Sequence, residues 1–216
     1  MVIAPHADDE VLGCGGYLLH SKSLTLPNEE RADIKIVVGT IGGMDVRQDY
    51  ETRVQEFNLV CKELEADSEL MFKNMDAMLD TIPSRELITS LDFAIDSYRP
   101  DEIFINYRSR HQDHVKMYDC AMASLRLREG YFPKFVALYE YPFITSGMDV
   151  VDGGMAYHDI TDVLREKIHL FNLYASQVRK APSPLNGEGI KSLAHIRGLE
   201  CGCMYAEKFY IQKMMV

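Results

Sequence analysis

The stretch VIAPHADDEVLGCGG, residues 2–16, changes character twice. Met1–Ala4 is apolar and the length of a short strand, and at Pro5 the chain passes directly into polar residues. Val11–Ser21 then follows a helical pattern, with Gly13, Gly15 and Gly16 permitting close backbone approach in its first turns. A strand that runs through a polar turn straight into a helix opens an α/β unit. The turn, Pro5–Glu10, falls at the carboxyl end of the strand.

The same alternation continues outward from this stretch. Ile34–Val38 (IKIVV) is continuous and β-branched, as expected of a strand buried on both faces. The glycine-rich loop Gly39–Gly43 follows, then an amphipathic helix over Thr52–Leu64 with Val54, Phe57, Val60, Cys61 and Leu64 on one face. Further strands are predicted at Glu69–Phe72, Glu102–Asn106 and Phe135–Tyr141, and helices at Glu86–Tyr98, Val115–Leu127, Ile160–Gln177 and Glu188–Met204. Pro100 stops one helix, Pro182 and Pro184 break the chain, and Ala206–Lys213 closes it. Strands separated by helices predict an α/β fold, a Rossmann-like three-layer sandwich with a mostly parallel sheet. Ligands of such sheets bind at the carboxyl edge of the strands. No repeat or boundary divides residues 1–216, so one domain is expected.

Composition narrows the class. The chain has 216 residues, 47% hydrophobic and 26% charged, which describes a globular protein with a real core. Its formal charge of -10 argues against a nucleic-acid partner. No apolar run approaches the ~20 residues that span a bilayer. Five scattered cysteines, without a C-x-x-C pair, fit a reducing, cytoplasmic setting. Cys201-Gly202-Cys203 falls on one predicted helical turn and reads as packing.

Two clusters carry chemistry: Pro5-His6-Ala7-Asp8-Asp9-Glu10 and His111-Gln112-Asp113-His114. Each follows a predicted strand and precedes a helix, so both lie on the same sheet edge. Three ligands drawn from His and carboxylate, with a position left for water, suit a catalytic zinc. The ion lowers the pKa of the water and polarises a carbonyl. A second, unligated carboxylate then serves as general base. Adjacent Asp8 and Asp9 side chains diverge and can divide those roles. His6 and one histidine of the second cluster complete the ligand set. The other histidine, paired with Asp113, is expected to be a charged imidazolium that stabilises an oxyanion. The plainer alternative is that Asp8, Asp9 and Glu10 only cap the following helix. Two such clusters, each at a strand-to-helix switch, favour the functional reading.

VIAPHADDEVLGCGG resembles the P-H-x-D-D-E-x-x-G-x-G-G signature of the LmbE-like, or PIG-L, family of zinc-dependent N-deacetylases, and His111–His114 resembles its H-x-D-H motif. TRVQEF is similar to the family's R-x-x-E helix and the Asp76 region to its D-x-x-L loop. DITDVLREK, YASQ, RG and YAEKF are similar to a C-terminal pattern of bacterial members. Ala7 departs from the usual proline, where no side-chain chemistry is needed. Ser109 stands where many relatives carry an acid. The resemblance implies that His6, Asp9 and His114 bind the metal and that Asp8 is the general base. It implies that His111 is oxyanion stabiliser and proton donor, oriented by Asp113, and that Arg53 contacts substrate hydroxyls. The implied reaction removes an N-acetyl group from an amino sugar or its conjugate, with Zn2+, or Fe2+ or another divalent ion, as cofactor. A catalytically silent relative that binds a sugar or a partner is the alternative.

Other features make weaker claims. Gly13–Gly16 lacks the G-x-G-x-x-G spacing of a dinucleotide site, which removes the oxidoreductase reading. Tyr139, Tyr141 and Tyr157 are candidates to line a sugar pocket, although tyrosines flanking strands are more often structural. Arg197, Glu207, His20, His158, His169 and His195 are read as surface or packing residues. The resemblance suggests a homo-oligomer, a trimer or hexamer, with the Met- and aromatic-rich tail Tyr205–Val216 as a candidate contact surface.

Overall fold

The computed structural model describes residues 1–23, 32–42, 49–126, 131–142 and 153–216, and β1 (Val2–His6) lies inside its sheet. Gly43 of the predicted loop and Leu127 of the predicted helix fall outside the described residues. β2 (Lys35–Ile41), β3 (Asp67–Lys73), β4 (Glu102–Asn106) and β5 (Phe135–Tyr139) continue the sheet in parallel. β6 (Gly154–Asp159) and β7 (Ala206–Met214) extend it antiparallel, giving the order β3-β2-β1-β4-β5-β7-β6. β1 pairs with β2 on one side and β4 on the other, with Val2 opposite both Ile36 and Phe104. The chain therefore leaves β1 outward in one direction and returns to build in the other. The crevice between the carboxyl ends of β1 and β4 is the switch point at which such sheets bind ligands.

The strand side chains alternate between two cores. Ala4, Ile36, Val38 and Phe104 pack with residues of α1 (Asp9–Ser23), α2 (Tyr50–Leu64), α5 (Leu164–Leu173) and α6 (Gly187–Cys201). Ile3, Val37, Ile103 and Ile105 pack with α3 (Ser84–Tyr98) and α4 (Gln112–Ser124). Burial on both faces explains why β1, β2 and β4 read as nearly unbroken apolar runs. The architecture is the three-layer α/β fold expected from sequence.

Three readings change. The helix predicted over Ile160–Gln177 is only α5, because Asp159 accepts from the Thr161 amide and hydroxyl and holds a turn before it. At its other end Ser176 is pulled out of helical course by Glu56, which accepts from its amide at 2.7 Å and its hydroxyl at 2.6 Å. β6 went unread, since Gly153-Gly154 and the polar His158-Asp159 give a weak strand signal. Most of the tail Tyr205–Val216 is not a free surface but β7, with Phe209 and Tyr210 buried between β5 and β6. Glu207, read as a surface or packing residue, is a packing residue. It is buried and accepts from the Gly16 amide and from Lys167 Nζ, tying β7 and α5 to α1.

α1 sits close on the sheet because Gly13 has no side chain: an added Cβ would overlap the buried Tyr139 ring. Gly13→Ala should cost about 1–3 kcal/mol by overpacking, read as a lower denaturant midpoint at unchanged slope. Tyr139 is thus a core residue and not part of a sugar pocket.

Candidate active site

β1 ends on His6, and the chain must turn at once to start α1 at Asp9. Asp8 occupies that turn at φ 140°, a conformation L residues rarely adopt. Strain of this kind costs of order 1–3 kcal/mol and gathers at functional sites. Glu10 pins the turn from behind: it accepts from the Asp8 amide at 3.0 Å and from the Tyr174 hydroxyl. Glu10 is fully buried, and burial pushes its carboxyl up to about 7 against those two bonds.

Three donors converge from the two motifs. Asp9 Oδ2 lies 3.4 Å from His6 Nδ1 and 3.3 Å from His114 Nε2. Two donors bound at ~2.0–2.1 Å to one tetrahedral ion stand about 3.3–3.4 Å apart, so these distances fit a divalent metal. All three side chains are buried, and their ligand atoms form one of two such clusters among the described residues. Burial alone would lower the His6 imidazole, but Asp113 and Asp9 outweigh it and raise it to about 10. Asp9 is held well below the usual carboxylate range, His114 and His6 outweighing burial. A cation among these atoms would replace the proton that the carboxylates keep on His6.

Asp113 does something different from what the sequence suggested. Its carboxylate meets His6 Nε2 at 2.8 Å and accepts from the amides of Ala77 and Leu79 at 2.7 and 2.9 Å. It therefore orients His6, in the carboxylate–histidine pairing typical behind a metal ligand. His111 instead caps α4, its Nδ1 accepting from the Asp113 amide at 3.3 Å. Burial, followed by the charges of His6 and His114, lowers its pKa. The Asp113 carboxylate is engaged by His6 and not by the His111 ring, whose Nδ1, as an acceptor, leaves Nε2 to carry the ring hydrogen.

Asp8 and Arg53 face the same cavity, of about 490 Å³. Burial and the neighbouring Asp9 push Asp8 up to about 8, while Arg53 and His6 pull it down. Arg53 donates to the Ala7 carbonyl at 2.8 Å and to Asp76 at 3.3 Å, and its buried Nε has no partner. The loop Asp76–Leu79 thus supplies Asp76 to His6 and Arg53, and backbone amides to Asp113. Sequence reading assigned no role to Asp76, although the D-x-x-L pattern marked its place. It gave none to Ser109, Arg110, Gln112, Gln177 or Leu185, which with Leu12 complete the wall. Of the three tyrosines, only Tyr141 lines the cavity, its ring 4.6 Å from that of His114. Tyr157 is half-buried on β6, away from the cavity, and donates to Glu200.

The family model for GlcNAc-PI de-N-acetylase, PIG-L, matches residues 1–125 and so spans both motifs. The chain belongs to this family. No curated protein sequence gives a significant match. Solved structures extend the PIG-L likeness beyond residue 125. The conserved protein TT1542 from Thermus thermophilus is 24% identical at a TM-score of 0.77, covering 100% of this chain and 94% of that one. N,N'-diacetylchitobiose deacetylase from Pyrococcus horikoshii is 22% identical at 0.73, covering 98% and 82%. The 4-carboxy-2-hydroxymuconate hydratase GalB from Pseudomonas putida is 18% identical at 0.75, covering 100% and 96%. These likenesses establish a PIG-L-type fold over both halves of the chain; a deacetylase and a hydratase share it, so function has to be argued from the site.

Proposed function

We propose that this chain is a metal-dependent amidohydrolase that removes an N-acetyl group from an amino sugar or a small amino-sugar conjugate. The observation that carries the reading is the division of labour between adjacent carboxylates: Asp9 closes the donor triangle, while Asp8 faces the cavity outside it. A module that only binds sugar has no use for that second acid. His6, Asp9 and His114 would hold the ion, zinc by preference, with Fe2+ also compatible with two imidazoles and a carboxylate. A divalent metal bound there supplies Lewis acidity to the acyl carbonyl and to a water.

The remaining steps belong to the chain's own residues. Asp8 takes the proton of the attacking water. His111, its ring fixed by the bond that Nδ1 accepts, donates its Nε2 hydrogen to the developing oxyanion as a preorganised dipole. Arg53, anchored on Ala7 and Asp76, lines the cavity and is placed to meet the sugar hydroxyls. The proton held on Asp8 then passes to the departing amine. Among the described residues no helix is long and apolar enough to cross a membrane. We read the substrate as one met in the cytoplasm, a setting that suits five free cysteines.

The test is release of amine and acetate from N-acetylglucosamine and N,N'-diacetylchitobiose by the metal-loaded protein. Release should stop with chelator and return with added metal. Tight binding of these sugars without amine release would instead support the silent binding module. Asp113→Asn should weaken metal affinity about 10–100-fold by freeing the His6 ring, measured by competition with a chromogenic chelator. Unchanged affinity would remove Asp113 from this role.

A further inference from the structure

Three of the five cysteines, Cys14, Cys61 and Cys120, are buried in the two cores. Burial pushes their thiols upward, that of Cys61 to about 12. Cys201 and Cys203 differ. α6 ends at Cys201, Gly202 caps it in a left-handed conformation at φ 90°, and Cys203 follows in the turn toward β7. Cys201 is exposed and Cys203 half-buried, so neither serves the packing role that their spacing suggested. Their sulfurs lie 3.6 Å apart, in van der Waals contact and on the same side of the turn. Cys201 also makes a weak contact to the Gly198 carbonyl and Cys203 one to the Tyr205 carbonyl, with the Asp159 carboxylate beside it. Nothing lies within 4 Å of the Gly202 Cβ position, so the residue between them has room to rotate.

We propose that Cys201 and Cys203 form a surface dithiol that exchanges with small disulfides and closes reversibly on itself. Two sulfurs already in contact, joined by an unencumbered glycine, need only a local rotation to reach bonding distance. The co-reactant is a low-molecular-mass disulfide of the glutathione class. Cys201, the exposed thiol, attacks it as thiolate, forming a mixed disulfide and releasing one small thiol. Cys203 then attacks Cys201 Sγ, the Sγ–Sγ bond forms, and the second small thiol leaves with the proton from Cys203. Two electrons pass from the protein to the small disulfide, which is reduced to two thiols. Cys203 is the resolving partner because it is the less exposed of the two, its sulfur turned inward onto the Tyr205 carbonyl, while Cys201 meets the small disulfide first. The ring spans three residues and restrains the unfolded chain little, which makes the bond a labile one and not a structural staple. The site lies at the β7 end of α6 and uses none of the residues assigned above to hydrolysis, so it stands independently of that assignment.

The experiment treats the full chain with oxidised glutathione, quenches with acid, alkylates with N-ethylmaleimide and measures intact and tryptic masses. The expected product has lost two hydrogens, and the peptide spanning residues 198–208, which carries both cysteines, is recovered unalkylated. Dithiothreitol should restore two alkylation sites there. Cys201→Ser and Cys203→Ser should each abolish the two-hydrogen loss and accept at most one glutathionyl group. A wild-type chain that stops at a glutathionyl adduct, does not react, or loses hydrogens in another peptide would overturn the proposal. The wild-type peptide map decides the matter even if a variant fails to fold.

Discussion

Asp8→Asn should lower turnover by about 10²–10⁴-fold, the usual worth of a positioned general base, while the metal content per chain stays as in the wild type. The side chain keeps its size, and asparagine is among the residues that best tolerate positive φ, so the turn at 140° survives the change. What disappears is the group that takes a proton from water. Burial and Asp9 hold Asp8 at about 8 when no cation is present. A divalent ion on Asp9 favours the charged form and lowers that value. Since the base works ionised, activity should rise with pH through the Asp8 titration, and this acid limb should vanish in the variant. Metal analysis beside a pH–rate profile measures both. Wild-type turnover in Asp8→Asn would remove the hydrolase reading altogether.

Asp9→Asn should have the opposite signature: loss of the ion first and of activity as a consequence. Asp9 Oδ2 stands between both imidazoles, and no second carboxylate among the described residues completes the cluster with His6 and His114. After dialysis the variant should retain almost no metal where the wild type keeps one ion per chain. A ligand that binds only the folded state stabilises it by about 2.7 kcal/mol at a hundred times its dissociation constant. Added zinc should therefore raise the wild-type melting temperature and leave that of Asp9→Asn unmoved. If Asp8→Asn lost the metal and Asp9→Asn kept it, the two carboxylates would exchange roles.

Much of this was legible in the sequence for identifiable reasons. The inner strands announce themselves because burial on both faces forces continuous apolar residues, and both motifs fall where strand gives way to helix. The antiparallel edge was not legible: β6 is short and polar-ended, and β7 follows a helix as any further α/β unit would. The donor set His6, Asp9 and His114 follows the family pattern, and the structure brings those three atoms together. The partner of Asp113 could not be read from spacing. His111 is only two residues away in sequence, yet Asp113 lies in the first turn of α4 and turns toward His6, 107 residues distant, while His111 caps the helix. Asp76 and Gln177 escaped because their places depend on how loops fold over the sheet edge, which neither period nor charge encodes.

The position of β7 has a consequence for how the chain is made. Every proposed metal and proton-transfer residue precedes position 115, yet the strand that covers the open edge of β5 leaves the ribosome long after them. Until then β5 presents unpaired backbone groups beside an apolar face, the kind of edge that recruits other chains. A nascent chain halted after β5 should therefore be prone to self-association. Chaperone demand during synthesis should fall sharply once residues 206–214 emerge and pair.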